Sequence, residues 1–301
     1  MPQISGQLDI KPLLADLAGR IEEALSRWVA PRDAPPELTE AMRYAVLGGG
    51  KRLRPCLVYL AAQACASDGT PKVDPAPAAA AVEMVHCYSL VHDDLPAMDD
   101  DVLRRGRPTV HVQYGQAMAI LVGDALLTQA FAVLMENVSD GRLACRLASE
   151  LARGAGPAGM IAGQVADMNL CRVADGLAGL EYIHARKTAD LFAAAARMGA
   201  LCGGADEPRL SAMGHFALNL GLAFQVRDDL LDATASSDQL GKTAGKDAAA
   251  GKRTYLALLG REKTAAIAAE LSRRAVASLE ELGPAAQPLR ALTDLLMERN
   301  H

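Results

Sequence analysis

Aromatic side chains are scarce in this chain: four Phe, six Tyr and one Trp make up 4% of 301 residues, although half of all residues are hydrophobic. Alanine, leucine and methionine carry the apolar content instead, and long stretches are poor in β-branched runs, which favours helix over sheet. The six cysteines (Cys56, Cys65, Cys87, Cys145, Cys171, Cys202) form no CxxC pair. That excludes the usual zinc spacings and a small disulfide framework, and leaves reduced, apolar core thiols as the reading. Residues 1–11 are too polar for a signal peptide. No run approaches the ~18 consecutive apolar residues of a bilayer-spanning helix, so a cytoplasmic protein with no transmembrane segment is expected. The net charge of −5 is modest and argues against a nucleic-acid-binding surface. Also missing are a nucleophile elbow, a catalytic triad, HExxH and a dinucleotide GxGxxG. Covalent catalysis therefore lacks its signatures.

Helical periodicity runs from about Leu13 to the C-terminus. It is broken by Gly, Pro and Asp clusters at 30–36, 67–77, 138–142, 154–157, 203–208 and 236–251. None of these breaks is long or charged enough for an interdomain linker, and no repeat is visible. The expectation is one all-α domain over residues 1–301, a bundle of about ten helices.

Two aspartate clusters dominate what is present: Asp93-Asp94-Leu95-Pro96-Ala97-Met98-Asp99 and Asp228-Asp229-Leu230-Leu231-Asp232. Acidic helix ends are common on solvated surfaces, but each of these follows directly on strongly apolar sequence (Leu90-Val91-His92; Gly221-Leu222-Ala223-Phe224). Carboxylates packed this closely repel one another unless a positive charge sits between them. Hard oxygen ligands suit Mg²⁺, whose shell is usually completed by waters and substrate phosphates. His86, Ser89 and Asp93, spaced i, i+3, i+7, share a helix face, with Tyr88 and Ser89 about 6–8 Å before Asp93 along the axis. Pro96 should end that helix. Asp99 shares no face with Asp93 in a straight helix, so either the Pro-containing turn returns it or Asp100 serves. Asp228 and Asp232, at i, i+4, do share a face, with Phe224 and Gln225 one turn earlier.

Cations accompany both clusters. Gly48-Gly49-Gly50-Lys51-Arg52-Leu53-Arg54-Pro55 is a glycine-rich turn that delivers Lys51 and Arg54 to a helix start. Backbone amides and a guanidinium fork at such a turn suit phosphate oxygens, although the spacing is not that of a P-loop. Arg104-Arg105-Gly106-Arg107 follows the first cluster; Lys187-Thr188 and then Lys242, Lys246, Lys252 and Arg253 stand further on. Any one of these alone reads as a solvated loop. Two acidic clusters with two groups of cations instead imply two diphosphates with different needs.

Taken together, and with Gly163-Gln164 and Asp167, these motifs resemble those of the trans-isoprenyl diphosphate synthases (polyprenyl synthetases), particularly the bacterial farnesyl-producing branch. They span about residues 48–255 in the family's order. The resemblance implies an all-α bundle around a central cavity, acting as a homodimer on small-molecule diphosphates. It implies that Asp93, Asp99 and Asp228 ligate Mg²⁺, about three ions with Mn²⁺ as an alternative, and that Asp94, Asp229 and Asp232 complete the catalytic clusters. Arg104, Lys187, Gln225 and Lys242 would hold the allylic diphosphate (dimethylallyl or geranyl), Arg104 and Lys187 counting as catalytic too, and Thr188 and Lys252 would be further substrate-binding residues. Lys51, Arg54, His86 and Arg105 would hold isopentenyl diphosphate. Ionisation, condensation and elimination would then give farnesyl diphosphate, with Tyr88 and Ser89 setting chain length. The alternatives are a geranyl or geranylgeranyl diphosphate synthase and, further off, a non-catalytic synthase subunit. Ala162, where relatives often carry glycine, and Leu256, where proline is common, depart from the pattern.

Overall fold

The computed structural model describes residues 8–232 and 254–298. Helix α1 (Lys11–Trp28) and α2 (Pro36–Val46) each carry proline in the first turn, where a missing N–H costs nothing. Next come α3 (Leu53–Cys65) and α4 (Ala76–Asp93), then a two-stranded hairpin, β1 (Leu103–Arg104) and β2 (Arg107–Pro108). A short α5 (Val110–Tyr114) precedes α6 (Gln116–Asn137) and α7 (Gly141–Ala155). The start of α7 is capped by Asp140, whose carboxylate accepts from the amides of Arg142 and Leu143. After α8 (Met160–Asp167), α9 (Leu177–His184) runs through a π turn at Ala185–Ala189 into α10 (Asp190–Gly203). The long α11 (Glu207–Asp232) ends at the second aspartate cluster. The described chain closes with α12 (Tyr255–Leu259), α13 (Arg261–Ala277), a 3₁₀ segment (Glu280–Ala286) and α14 (Gln287–Glu298).

Helices α3, α4 and α10 are apolar on nearly every face, the mark of helices buried on all sides. Helix α10 packs on α3, α7 and α11, while α4 packs on α3, α6 and α1. A contiguous apolar cluster runs from Ile10 to Leu296. The Arg197 fork grips both Glu150 oxygens at 2.8 Å and joins α10 to α7.

The helical class expected from composition is what the chain adopts. Five of the anticipated breaks coincide with interhelix segments, and 236–251 lies outside the described residues. The described residues hold fourteen α-helices against about ten expected, and two of the extra ones are the short α5 and α12 that end at Gly115 and Gly260. Two expectations need correction. Cys145 and Cys171 are exposed rather than core, whereas the other four cysteines are buried. Among the described residues one helix, α6, is long and apolar enough by composition to cross a membrane, and less than half of its most apolar stretch is buried. Reading for unbroken apolar runs missed it because Asp124, Thr128 and Gln129 interrupt the run without offsetting its hydropathy.

Candidate active site

Helix α4 ends at Asp93, ahead of Pro96, as the proline requires. The chain then folds back: the Asp99 amide donates to the Asp93 carbonyl at 2.8 Å, and the Asp101 amide to the Asp94 carbonyl at 3.2 Å. This turn returns Asp99 to Asp93, with Asp100 taking the left-handed conformation at φ 51°. The Asp93 carboxyl is pushed up to about 6, first by burial, which disfavours its charged form; Lys187 opposes the shift and neighbouring Asp99 adds to it. Asp94 points the other way. It is 3% exposed, and its Oδ1 accepts from Arg104 Nε at 3.0 Å and Nη2 at 2.5 Å. Burial drives the Asp94 carboxyl upward against the pull of Arg104. Arg104 also reaches Asp101 at 3.3 Å.

The arginines owe their placement to the hairpin. Leu103 pairs with Pro108 and Arg104 with Arg107, leaving Arg105 (φ 55°) and Gly106 (φ 73°) as the two turn residues. Positive φ at both matches the right-handed twist of a two-residue hairpin. Arg105, at the tip, donates to the Gly49 carbonyl. Its guanidinium occupies the space beside Gly50, and the φ of 129° at residue 50 is one that favours glycine.

From the start of α3, Arg54 extends inward. Its Nη1 lies 3.4 Å from His86 Nε2, and its guanidinium stacks 4.7 Å from the Phe192 ring centre. A guanidinium only donates, so His86 Nε2 accepts and the imidazole is neutral with its proton on Nδ1. Burial and the Arg54 charge hold His86 well below the usual imidazole range. Burial also lowers Arg54 to about 10, partly offset by Glu83, Cys87 and Asp228, which places the second cluster within electrostatic reach of Arg54. Lys51 is exposed.

Helix α11 carries Gln225, Asp228 and Asp229 without interruption. Thr188 Oγ1 donates to Gln225 Oε1 at 3.1 Å, Gln225 Nε2 lies 3.5 Å from Asp229 Oδ1, and the Tyr255 amide donates to Asp229 Oδ2 at 3.0 Å. Lys187 Nζ pairs with Asp167 at 2.6 Å. Lys187 and Thr188 sit within the π turn, and such single-turn bulges concentrate at functional sites. A Cβ on Gly163 would collide with the Lys187 backbone, so glycine there lets α8 approach the widened turn closely. Lys242 and Lys252 lie outside the described residues, as does the side chain of Asp232.

Tyr88 is 6% exposed and meets His92 edge-on at 5.9 Å. Its hydroxyl is buried without a hydrogen-bond partner, and burial raises the phenol to about 12. Ser89 Oγ donates to the His86 carbonyl at 2.8 Å.

Some participants escaped the sequence reading. Arg52 and Glu83 form a buried pair at 2.6 Å. A lone glutamate in the alanine-rich run Ala78-Ala79-Ala80-Ala81-Val82-Glu83 was the available signal, because a charge on an apolar helix calls for a partner. Phe192, under Arg54, and Tyr255, which meets His184 at 5.4 Å, look like ordinary core residues in the sequence.

An all-helical bundle with two carboxylate clusters, and cations drawn from separate segments towards them, defines an enzyme class that handles diphosphate esters. The chain belongs to the polyprenyl synthetase family, whose model matches residues 35–283, and it is a prenyltransferase. It is 44% identical to a chloroplastic geranylgeranyl pyrophosphate synthase of Catharanthus roseus over 99% of this chain and 83% of the relative. It is 42% identical to a farnesyl diphosphate synthase of Geobacillus stearothermophilus, over 98% of this chain and 99% of the relative. Among solved structures, a geranyltransferase from Helicobacter pylori complexed with magnesium and isoprenyl diphosphate superposes with a TM-score of 0.81 at 33% identity, covering 98% of both chains.

Proposed function

We propose that this prenyltransferase condenses isopentenyl diphosphate with dimethylallyl and then geranyl diphosphate, with Mg²⁺, and releases farnesyl diphosphate. The observation that carries the product assignment is Tyr88, a ring buried on α4 one and a half turns before Asp93. A chain growing from a diphosphate held at Asp93 towards the start of α4 meets that ring, and its bulk limits the depth.

The residues suit magnesium. Asp93 and Asp99 are hard oxygen donors brought together by the turn, and burial with mutual repulsion leaves Asp93 short of positive charge. Among the described residues no three carboxylate, imidazole or thiol groups converge as a ready-made cage, so substrate oxygens and waters would complete the shell. Asp93, Asp99 and Asp228 would hold the ions, which supply Lewis-acid neutralisation of the departing diphosphate. Lys187, Arg104, Thr188 and Gln225 would hold the allylic diphosphate as its C–O bond breaks, their donors fixed in advance. Arg54, Arg105, His86 and Lys51 would hold isopentenyl diphosphate so that its double bond faces the allylic carbon. Neutral His86 can donate to that diphosphate through Nδ1. The diphosphate freed in the first step takes the proton lost after C–C bond formation, so no protein base is required.

A geranylgeranyl product is the second reading, favoured by the identity to the Catharanthus roseus enzyme. The test is the chain length made from isopentenyl and geranyl diphosphates with Mg²⁺. A dominant C15 alcohol after dephosphorylation supports the Tyr88 limit, C20 replaces it with the second reading, and no condensation removes both.

For the assembly, we propose a homodimer formed through α6. Ile120, Leu121 and Met135 are exposed on this helix, and Val112 just before it. Large apolar side chains left exposed along one helix are what a contact with a second copy would cover. Light scattering on the eluting peak decides between one chain and two.

A further inference from the structure

We propose that Arg52 is the positioning residue for isopentenyl diphosphate, holding the 48–54 loop in register with α4 through Glu83; this rests on the reading of Lys51, Arg54 and His86 given above. Three donors of one guanidinium leave in three directions. Nε meets Glu22 of α1 at 2.7 Å, Nη1 meets Glu83 of α4 at 2.6 Å, and Nη2 meets the Val46 carbonyl at the end of α2 at 2.7 Å. Arg52 itself precedes the first residue of α3. One side chain therefore joins four helices at the point where the loop enters the bundle. It is 3% exposed and Glu83 1%, so water cannot substitute for either partner.

The backbone supports a positioning role. Arg52 has φ 48°, a left-handed conformation at a non-glycine residue. Such strain persists only where the surroundings over-determine it, and it gathers at functional sites. Here the three hydrogen bonds do the determining. Lys51 precedes this fixed residue and Arg54 follows by two, so both cations take their direction from it. Glu83 stands three residues before His86, almost one turn along α4, so the same pair fixes the spacing between Arg54 and His86. A lysine at 52 has no planar fork and cannot make the three bonds in these directions. Displacing a binding group by ~1 Å can cost about a hundredfold in rate, so precise loop placement matters to this substrate.

The experiment measures KM for isopentenyl diphosphate and for geranyl diphosphate separately, with kcat and Tm, in Glu83→Gln and in the double variant Arg52→Met/Glu83→Met. Glu83→Gln keeps the shape and an acceptor but loses the charge. The double variant replaces the buried pair with apolar side chains of similar volume, an exchange that buried ion pairs often tolerate without loss of stability. The expected result is a rise of roughly tenfold or more in KM for isopentenyl diphosphate in both variants, with KM for geranyl diphosphate within about twofold. If both KM values rise together, or activity falls only in step with Tm while KM for isopentenyl diphosphate stays put, the pair is merely structural and the proposal fails. If the double variant does not fold, Glu83→Gln decides alone by the same criterion. Wild-type protein in the same assay separates the two levels: absence of any condensation product there overturns the substrate reading and this proposal with it.

Discussion

Asp94 and Asp229 hold the same place in their motifs, each following an aspartate assigned to metal, yet their hydrogen bonds run to different parts of the frame. Asp94 lies in the interior against the Arg104 guanidinium, whose side chain is itself only 21% exposed. Asp229 accepts from the Gln225 amide and from the Tyr255 backbone amide, a contact between two helices. The first arrangement fixes a cation as well as a carboxylate, so its loss strands a charge. The second ties α11 to the start of α12 through the Tyr255 amide. The second aspartate of each pair thus has contacts of its own in the frame: Asp94 holds Arg104, and Asp229 joins α11 to α12.

That contrast can be tested from the largest effect downward. Asp93→Asn removes the proposed metal ligand and should lower kcat/KM by about three orders of magnitude with the fold retained; near-normal turnover in steady-state assays, with an unchanged circular dichroism spectrum, would remove Asp93 from the metal site. Asp94→Asn should destabilise by about 3 kcal/mol, because Arg104 then stays partly buried without its main counter-charge; urea unfolding measures this. Asp229→Asn should cost less than Asp94→Asn by the same method, since an amide oxygen still accepts from the Tyr255 N–H. Equal losses in these two variants would erase the distinction between them.

The smallest effect is the pH dependence of Asp93. Its folded pKa of about 6 lies above the ordinary 3.8, so without metal the ionised carboxylate costs stability above about pH 6. That cost fades as the pH falls towards 3.8, the reverse of a carboxylate held by a salt bridge. Magnesium requires the ionised form. The rise in Tm on adding Mg²⁺ should therefore be full above about pH 6 and shrink below it; a Tm increment constant from pH 5 to 8 would contradict this origin.

Much of this was legible in the sequence where one residue type has one strong physical meaning. Pro96 stopped α4, the glycines at 48–50 turned the chain, and the Gly and Pro clusters at 67–77 and 203–208 separated helices. The return of Asp99 was left open because it depends on backbone hydrogen bonds across a six-residue turn. The pairing of Asp94 with Arg104 was not anticipated, because a sequence cannot say which neighbour of a helix end faces inward. Arg52 disappeared into a basic loop, since its three partners come from positions 22, 46 and 83. The outer face of α6 was equally invisible, because the same alanine and leucine residues serve a core or an interface.

The π turn has a consequence for how this chain tolerates length change. A π turn holds one more residue than the α turn it replaces, so α10 leaves Ala185–Ala189 rotated by roughly 100° from where an uninterrupted helix would carry it. Deleting a single residue there would restore a regular helix and turn every later position of α10 through that angle. Phe192 would swing from under Arg54, and Arg197 would lose Glu150. Substitutions along this stretch alter one side chain at a time, whereas a one-residue deletion would misalign the substrate end and the structural end of α10 together.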